Sequence, residues 1–329
     1  MHEASCNDES GLPCQAQRQQ ATIEQQGALM VTQTLGEFRI DRVVESEGAF
    51  APASMLMPGF DPAVLAAAQA DDWLRPQFLT ADDSLVMSFQ SFVIRTGRLT
   101  VLVDGCVGND KERPNRESWH RRQSSAYLDQ LAALGLSPAD IDVVLCTHLH
   151  ADHVGWNTVL RDGRWVPTFP RARYLFSRAE YEFWERAHRE ALATGGPATN
   201  HGSFADSVLP VMEAGRAELV GAGHDVCAGL RIDAAPGHTP GNSVIAVQSG
   251  GKRALLTGDV IHTPVQIALP QWSSRFCEDA AQSAECREGL LNHACDSGTL
   301  LFASHFPSPT SGVVESAAGG RMRFRCVGC

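Results

Sequence analysis

The chain has 329 residues, 43% hydrophobic and 20% charged, and is long enough to bury a substantial core in one large domain or two small ones. A formal net charge of −11, with no run rich in Lys or Arg, argues against nucleic acid or an anionic membrane as the main partner. A neutral or cationic small molecule fits this charge better. No stretch has the roughly 20 apolar residues of a membrane span, and residues 1–20 lack a signal-peptide pattern, so we expect a cytoplasmic protein.

The N-terminal part of the chain is predicted to differ from the rest. Residues 1–35 are polar and rich in Gln, Ser and Glu, which is typical of a flexible segment, and a single domain is expected over residues 36–329. Residues 48–78 mix Pro, Gly, Met and aromatic side chains around one short Ala-rich helix. This segment is expected to cap a pocket, to contact a partner in a dimer, or to be an ordinary surface excursion.

From Ser84 onward, the pattern predicts strands alternating with helices. "SLVMSFQSFVIRT" and "LTVLVD" predict a hairpin, and a helix through "SSAYLDQLAALG" ends at Gly135 before the strand "VVLCT". A strand at "RARYLFS" leads into a helix that opens with Ser177 and Glu180, which match an S-x-x-E capping box.

The C-terminal half repeats this rhythm. Residues 230–259 predict three short strands with a Gly250-Gly251 turn, followed by a helix over 280–292 and a buried strand at "TLLFASHF". Because strands and helices alternate in two similar halves, the sequence predicts a layered α/β fold.

Ten cysteines are expected to be buried thiols rather than disulfides in a cytosolic chain. Cys277, Cys286 and Cys295 are predicted to pack in a helical region. Cys326 and Cys329 form a single C-x-x-C, which is either a weak zinc or redox signal or part of a frayed tail.

The stretch "THLHADHVGW" places three histidines and an aspartate in six consecutive positions after an apolar strand. Side chains alternate along an extended chain, so His148 and His150 project from one side and can reach one ion. Asp152 and His153 follow where the chain turns, with Gly155 relieving the crowding, and they point to a second metal position. The pattern indicates a metal site rather than a group of solvated loop histidines.

Three further coordinating residues follow predicted strands. His238 lies in "APGHTPGNS", Asp259 in "LLTGDVIH" and His305 in "LLFASHFPSP". Each comes just after the carboxyl end of a strand, where sheets with alternating helices build their sites. Each alone could be a capping or core residue, but together they supply the ligands that the motif lacks. His120, His188, His201, His224 and His293 show no such pattern and are expected at the surface or in the core.

On "THLHADH", "PGHTPG", "TGD" and "SHF", in this order and spacing, the chain from about Ser84 resembles the metallo-β-lactamase fold superfamily. Within it, the chain is most similar to the branch of methyl parathion hydrolase and the N-acyl homoserine lactonases. The resemblance implies a four-layer αββα sandwich with the site at one edge between the sheets, and a homodimer. It implies a first metal bound by His148, His150 and His238, and a second bound by Asp152, His153 and His305. Asp259 would bridge the two metals.

The same resemblance implies that Asp104 in "LVDGCVG" steadies the ligands, although a turn cap is an alternative role. The β-lactamases of this fold lack the bridging aspartate, so antibiotic hydrolysis is disfavoured. Two divalent ions, two aspartates and a bridging hydroxide sum to about +1, which suits a transition state with negative charge on oxygen. Zinc is the expected metal, although this ligand set also suits manganese, cobalt or iron.

Catalysis and specificity are predicted from the residues beside the ligands. Asp152 is the candidate for moving protons, and His262, three residues after Asp259, is the candidate for donating to a substrate oxygen. The substrate pocket is predicted to be formed by Trp156, Gln266, Trp272 and Phe306, with core packing as the alternative for each.

The leading functional hypothesis is a binuclear hydrolase that opens a lactone or cleaves an ester of a small hydrophobic molecule. Organophosphate triester hydrolysis, as by methyl parathion hydrolase, is the alternative, because the same hydroxide would attack either electrophile. A metal-stabilised, non-catalytic binding protein is the hypothesis from another class, and the complete ligand set weakens it.

Overall fold

The computed structural model describes residues 32–327. Predictions about residues 1–31 and about Cys329 lie outside the described residues. The last four residues of the predicted flexible segment, Thr32–Leu35, form the first strand.

Two seven-stranded sheets lie at the centre of the fold, with orders β1-β2-β3-β4-β5-β8-β9 and β10 through β16, and β6 and β7 form a separate hairpin. The strands are β1 Thr32–Leu35, β2 Phe38–Pro52, β3 Ser84–Arg95, β4 Thr100–Val103, β5 Val143–Leu145, β6 Thr158–Arg161, β7 Arg164–Pro167, β8 Arg173–Ser177, β9 Ala217–Val220, β10 His224–Cys227, β11 Leu230–Ala234, β12 Ser243–Ser249, β13 Lys252–Leu256, β14 Leu300–Phe302, β15 Ser311–Ala317 and β16 Arg321–Cys326. Neighbours β4, β5, β8 and β9 run parallel, as do β13 and β14.

The α-helices lie between these strands. They are α1 Ala53–Leu56, α2 Pro62–Ala67, α3 Asp71–Leu74, α4 Ala126–Ala133, α5 Ala151–Val154, α6 Arg178–Thr194, α7 Leu209–Glu213, α8 Val265–Ala268 and α9 Ala280–Ala294. Within residues 32–327, no helix combines the length and the apolar character that crossing a bilayer requires.

Three of the four apolar clusters found within residues 32–327 stack the elements into four layers. Between the sheets, residues of the first sheet meet residues of the second, as in the contact of Phe92 with Phe302, whose ring centroids are 5.6 Å apart. The outer face of the first sheet packs on α4 and α6, and the outer face of the second sheet packs on α9 and the helices of residues 53–74. The predicted αββα arrangement is confirmed.

The strands predicted from alternation are confirmed, including the turn at Gly250 and Gly251, both with positive φ. The long strand β2 was not predicted, because its pairing with β3 shifts register at two irregularities that disturb the alternation. Residues 53–74 form three short helices instead of one. Cys326 belongs to β16, which pairs with β15 along its whole length, so a frayed tail is wrong at this position.

Gly155 is required by a close approach of two loops. A Cβ atom added there would lie 1.8 Å from the backbone oxygen of Val107. We expect Gly155→Ala to lower the free energy of unfolding by about 3 kcal/mol, because the loops must separate to admit the methyl group. Urea denaturation measures this change.

Gly289→Ala is the matched control. Gly289 is exposed on α9, and a Cβ atom there meets nothing within 4 Å. The substitution should raise stability by roughly 0.5–1 kcal/mol, because Ala loses less backbone entropy than Gly in a helix. Equal stability of the two variants would contradict the close approach at Gly155.

Candidate metal centre

The predicted ligands lie at one edge of the two sheets. His148 and His150 follow β5, His238 follows β11, Asp259 follows β13 and His305 follows β14. Because β4 and β5 are parallel, as are β13 and β14, the carboxyl ends of each pair lie at the same edge. The sandwich places these two edges against each other, so the loops converge.

The structure brings all seven predicted ligands together in two groups. Potential ligand atoms lie within 4.8 Å of one another inside each group. The first group is His148, His150, His238 and Asp259, and the second is Asp152, His153 and His305. The family resemblance implied the same three histidines for the first metal, the same three residues for the second, and Asp259 for both.

The Asp259 carboxylate faces both groups. Its Oδ2 lies 3.3 Å from His238 Nε2 and 3.8 Å from His148 Nε2. Its Oδ1 lies 3.3 Å from His153 Nε2 and 3.2 Å from His305 Nε2. One oxygen therefore points to each group, which is the geometry of a bridging carboxylate.

The free electron pairs of these side chains fit divalent ions. Nδ1 of His150 lies 3.1 Å from His148 Nε2 and 2.9 Å from His238 Nε2, close to the separation of ligands that share an ion at about 2 Å. His153 Nε2 and Asp259 Oδ1 are buried and have no hydrogen-bond partner among residues 32–327. A cation between these atoms would satisfy both features.

Protonation in the first group also favours metal binding. Burial lowers the pKa of His150 to about 4, and burial together with His153 lowers the pKa of His148 well below its ordinary value. Both imidazoles are therefore neutral, the form that coordinates a metal. Burial opposes the charge of Asp259, but His305 and His153 outweigh it and hold the pKa of that carboxyl well below its usual range.

Asp104 lies behind the second group. Its Oδ2 accepts a hydrogen bond from His153 Nδ1 at 2.9 Å, and its Oδ1 accepts one from the Thr147 backbone N–H at 2.8 Å. Ser304 Oγ lies 3.2 Å away, next to His305. These contacts join segments that are distant in the chain, so Asp104 is not a local turn cap, the alternative role considered for it. They orient the imidazole of His153.

The predicted capping box of Ser177 and Glu180 is wrong. Ser177 precedes α6, but its side chain makes no capping hydrogen bond. The fully buried Glu180 carboxylate instead accepts from the backbone N–H groups of Leu149 and Gly241, both at 3.0 Å, and from Trp184 Nε1 at 2.7 Å. One side chain therefore holds the loop of His148 and His150 against the loop of His238.

The sequence of the chain matches the metallo-beta-lactamase superfamily over residues 90–318. The chain belongs to this superfamily. Membership accounts for both the layered fold and the two ligand groups at its edge.

A curated relative matches a short part of this chain, and two solved structures match most of it at low sequence identity. N-acyl homoserine lactonase AttM of Agrobacterium fabrum is 39% identical over 56 residues, which span 17% of this chain and 18% of AttM. The solved structure of hydrolase AbOPH has a TM-score of 0.73 at 22% identity and covers 93% of this chain and 99% of its own. AidC, described as a dizinc quorum-quenching lactonase with a bound product, has a TM-score of 0.72 at 21% identity, covering 91% and 98%. At these identities the two structures show the shared superfamily fold.

A cavity of about 450 Å³ opens above the ligand groups. Aromatic and aliphatic side chains from β2, β3, α1, α6 and several loops line it, together with two arginines. Those that the sequence did not predict include Phe50, Leu56, Met87, Phe89, Arg116, Trp119, Trp184, Asn200, Arg275 and Phe276. They come from segments far apart in the chain, so no local pattern identifies them.

The four predicted pocket residues do not line this cavity. Trp156 is buried behind the site, stacked on Tyr127 at 4.8 Å, and donates from Nε1 to Glu45. The short 3₁₀ turn Gly155–Asn157 redirects the chain and turns this side chain into the core.

The other three are also structural. Gln266 accepts from the His262 backbone N–H at 2.7 Å and donates to the Trp272 carbonyl at 2.8 Å, which closes the loop after Asp259. Trp272 packs on Phe60, with ring centroids 5.4 Å apart. Phe306 is fully buried between Phe78 and Phe324, because the chain reverses after His305.

Two histidines lie at the cavity. His262, predicted from its spacing to Asp259, lines the wall with Nε2 at 3.2 Å from Asp259 Oδ2, and both of its ring nitrogens lack a hydrogen-bond partner. His201 was predicted to have no part in a site, but it also lines the cavity and contacts Trp119 at 5.9 Å between ring centroids. The positive φ of His201 and Asn200 directs this loop over the ligands.

Cys277 was predicted to pack in a helix but lies before α9 in the cavity wall. Asp279 caps that helix by accepting from the Gln282 N–H, so the helix begins only at Ala280. The Cys277 sulfur lies 3.6 Å from His238 Nδ1. Cys286 and Cys295 pack against the core beside α9, as predicted.

Proposed function

We propose that this protein is a binuclear metal-dependent hydrolase that cleaves a lactone or ester bond of a small hydrophobic molecule. The observation that carries the proposal is the Asp259 carboxylate, which faces one histidine group with each oxygen at the floor of a cavity of about 450 Å³. Superfamily membership and the lactonase descriptions of AttM and AidC support this choice of reaction.

The metal-binding residues would be the two groups described above, with Asp259 shared between them. We propose zinc for both positions. Three imidazoles and one carboxylate would bind it at the first position, and two imidazoles and two carboxylates, counting Asp259 again, at the second. When bound, such ions lower the pKa of water toward about 7 and polarise a carbonyl oxygen.

His262 and Asp152 are the residues that we assign to the substrate. Both ring nitrogens of His262 are buried and without partners at the cavity wall, so this imidazole can donate a hydrogen bond to a substrate oxygen. Asp152 lines the same cavity and retains partial exposure, with Oδ2 at 3.7 Å from His305 Nε2. Its carboxylate can accept a proton and pass it to the leaving group.

The cavity wall supports a hydrophobic substrate. Phe50 and Phe89 contact each other at 5.6 Å between ring centroids, and Phe89 contacts Trp119 at 5.7 Å. Phe50 and Leu56 belong to residues 48–78, which supports a capping role for that segment. The aromatic wall also suits an aryl leaving group, so phosphotriester hydrolysis is the second candidate.

A hydrolysis panel tests the proposal. Acyl homoserine lactones, aromatic lactones, p-nitrophenyl esters and paraoxon-type triesters are assayed on protein whose metal content is measured in the same sample. We expect turnover of a lactone or ester at about two metals per chain, loss of turnover on chelation, and recovery when the metal is restored. The proposal would be contradicted if the metal-loaded protein hydrolysed none of the four substrate classes.

A further inference from the structure

We propose that Arg116 makes this enzyme selective for esters or lactones that carry a carboxylate at the end remote from the bond that is cleaved. The inference deepens the proposed function and rests on it for the reaction itself. Its basis is a guanidinium at the cavity mouth whose hydrogen-bond donors are unused.

Two aromatic rings hold the Arg116 side chain at the mouth. Its guanidinium carbon lies 5.1 Å from the ring centroid of Trp119 and 5.5 Å from that of Phe276. These rings come from separate loops, and contacts of this kind stabilise a cation without using its N–H groups. The guanidinium is therefore held in place while its donors stay available.

No acidic partner among residues 32–327 pairs with Arg116, whose side chain makes neither an ion pair nor a hydrogen bond there. Arg113, three residues earlier, differs: its guanidinium donates to both oxygens of Asp206, at 2.6 and 2.9 Å. In this loop Arg113 therefore forms a buried ion pair within the fold, whereas Arg116 lines the cavity. Arginine binds carboxylates through paired N–H donors. A substrate carboxylate would therefore accept the hydrogen bonds that the Arg116 guanidinium can donate.

The charge at the mouth is compatible with an anion. Besides the metal-site aspartates, the charged residues that line the cavity are Arg116, Arg275 and Glu278. Arg275 and Glu278 are exposed, and their opposite charges sum to zero. Of these three residues, Arg116 therefore supplies the net positive charge. The net charge of −11 favoured a neutral or cationic ligand, but distant surface charges are screened beyond about 10 Å, whereas Arg116 acts at contact distance.

A continuous aromatic wall joins Arg116 to the ligand groups. His305 contacts Phe89 at 5.2 Å, Phe89 contacts Trp119 at 5.7 Å, and Trp119 contacts the guanidinium. A substrate that spans this wall would have its ester at the metal-binding groups, an apolar linker along Phe89 and Trp119, and its anionic end at Arg116.

A matched pair of substrates tests the inference. The p-nitrophenyl monoester of hexanedioic acid is compared with the same ester after its free carboxylate is capped with methyl. For the wild-type protein, kcat/KM should be roughly tenfold higher for the carboxylate form, and in Arg116→Gln this ratio should fall to about one. Arg186→Gln is the control, because Arg186 also lies over an aromatic ring, Phe183 at 5.8 Å, but outside the cavity, and its ratio should stay at the wild-type value.

Binding provides a readout that is independent of turnover. Calorimetry on the metal-loaded protein should show hexanedioate binding more tightly than hexanoate, and Arg116→Gln should remove this difference. An unchanged substrate ratio and an unchanged binding difference in Arg116→Gln would overturn the inference and leave the proposed function standing. Absence of p-nitrophenol release from both substrates by the metal-loaded wild type would count against ester hydrolysis itself, and the calorimetry would still decide the role of Arg116.

Discussion

Asp259→Ala is expected to lower kcat/KM by about 1000-fold or more, because one substitution removes a ligand from both metal-binding groups. The metal content should fall below two ions per chain. Chelation should lower the Tm of the wild-type protein, since bound metal stabilises the folded state, and should shift the Tm of the variant much less. Steady-state kinetics, metal analysis and thermal melts on the same preparations measure these changes.

Asp225→Ala is the control for this substitution. The Asp225 carboxylate is largely exposed, and its contact with Arg231 is 3.9 Å long, so its loss should leave both activity and metal content unchanged. If Asp259→Ala retained wild-type turnover of the substrates identified by the panel, catalysis by this centre would be disproved.

Glu180→Gln should have the second largest effect. The buried carboxylate accepts three hydrogen bonds at its two oxygens, but a glutamine amide offers one oxygen and turns an NH₂ group toward a donor. A buried N–H then loses its partner, which costs about 2 kcal/mol of folding free energy. Because the two loops that Glu180 joins contain His148, His150 and His238, metal affinity should also fall, by roughly 10- to 100-fold.

Urea denaturation and metal titration separate the two effects of Glu180→Gln. Ser177→Ala is the matched control at the start of the same helix, and it should change stability by less than about 0.5 kcal/mol, since the Ser177 side chain makes no capping bond. If the Glu180→Gln protein bound metal with wild-type affinity, Glu180 would stabilise the fold without positioning the metal ligands.

The position of Glu180 shows how a local pattern can be met by chance. Serine and glutamate have the spacing of a capping box, and an isolated helix would use them in that way. In the folded chain, α6 packs against the loops after β5 and β11, and the backbone N–H groups of Leu149 and Gly241 compete for the carboxylate. A Cβ atom on Gly241 would lie 2.1 Å from the Glu180 nitrogen, so the glycine permits this approach.

The substrate wall could not be inferred from proximity in sequence. Trp156 and Phe306 lie one to three residues from metal ligands, yet both side chains turn into the core. Neighbours in a chain point to different sides, so closeness to a ligand does not place a side chain in its cavity. Arg116, Trp119, His201 and Phe276 line the cavity because loops from different parts of the chain meet there.

The sequence predicted the layered α/β class and the seven side chains that the structure brings together in two groups. Strand periodicity is local, and the imidazole and carboxylate groups just past several strand ends together indicate one site, so residue type and spacing were sufficient for these predictions. Only the packing of the folded chain fixes the cavity wall, the contacts of Glu180 and the position of Arg116 in that wall. These depend on which distant segments pack together and which polar groups remain unpaired after packing, and a one-dimensional pattern does not contain that information.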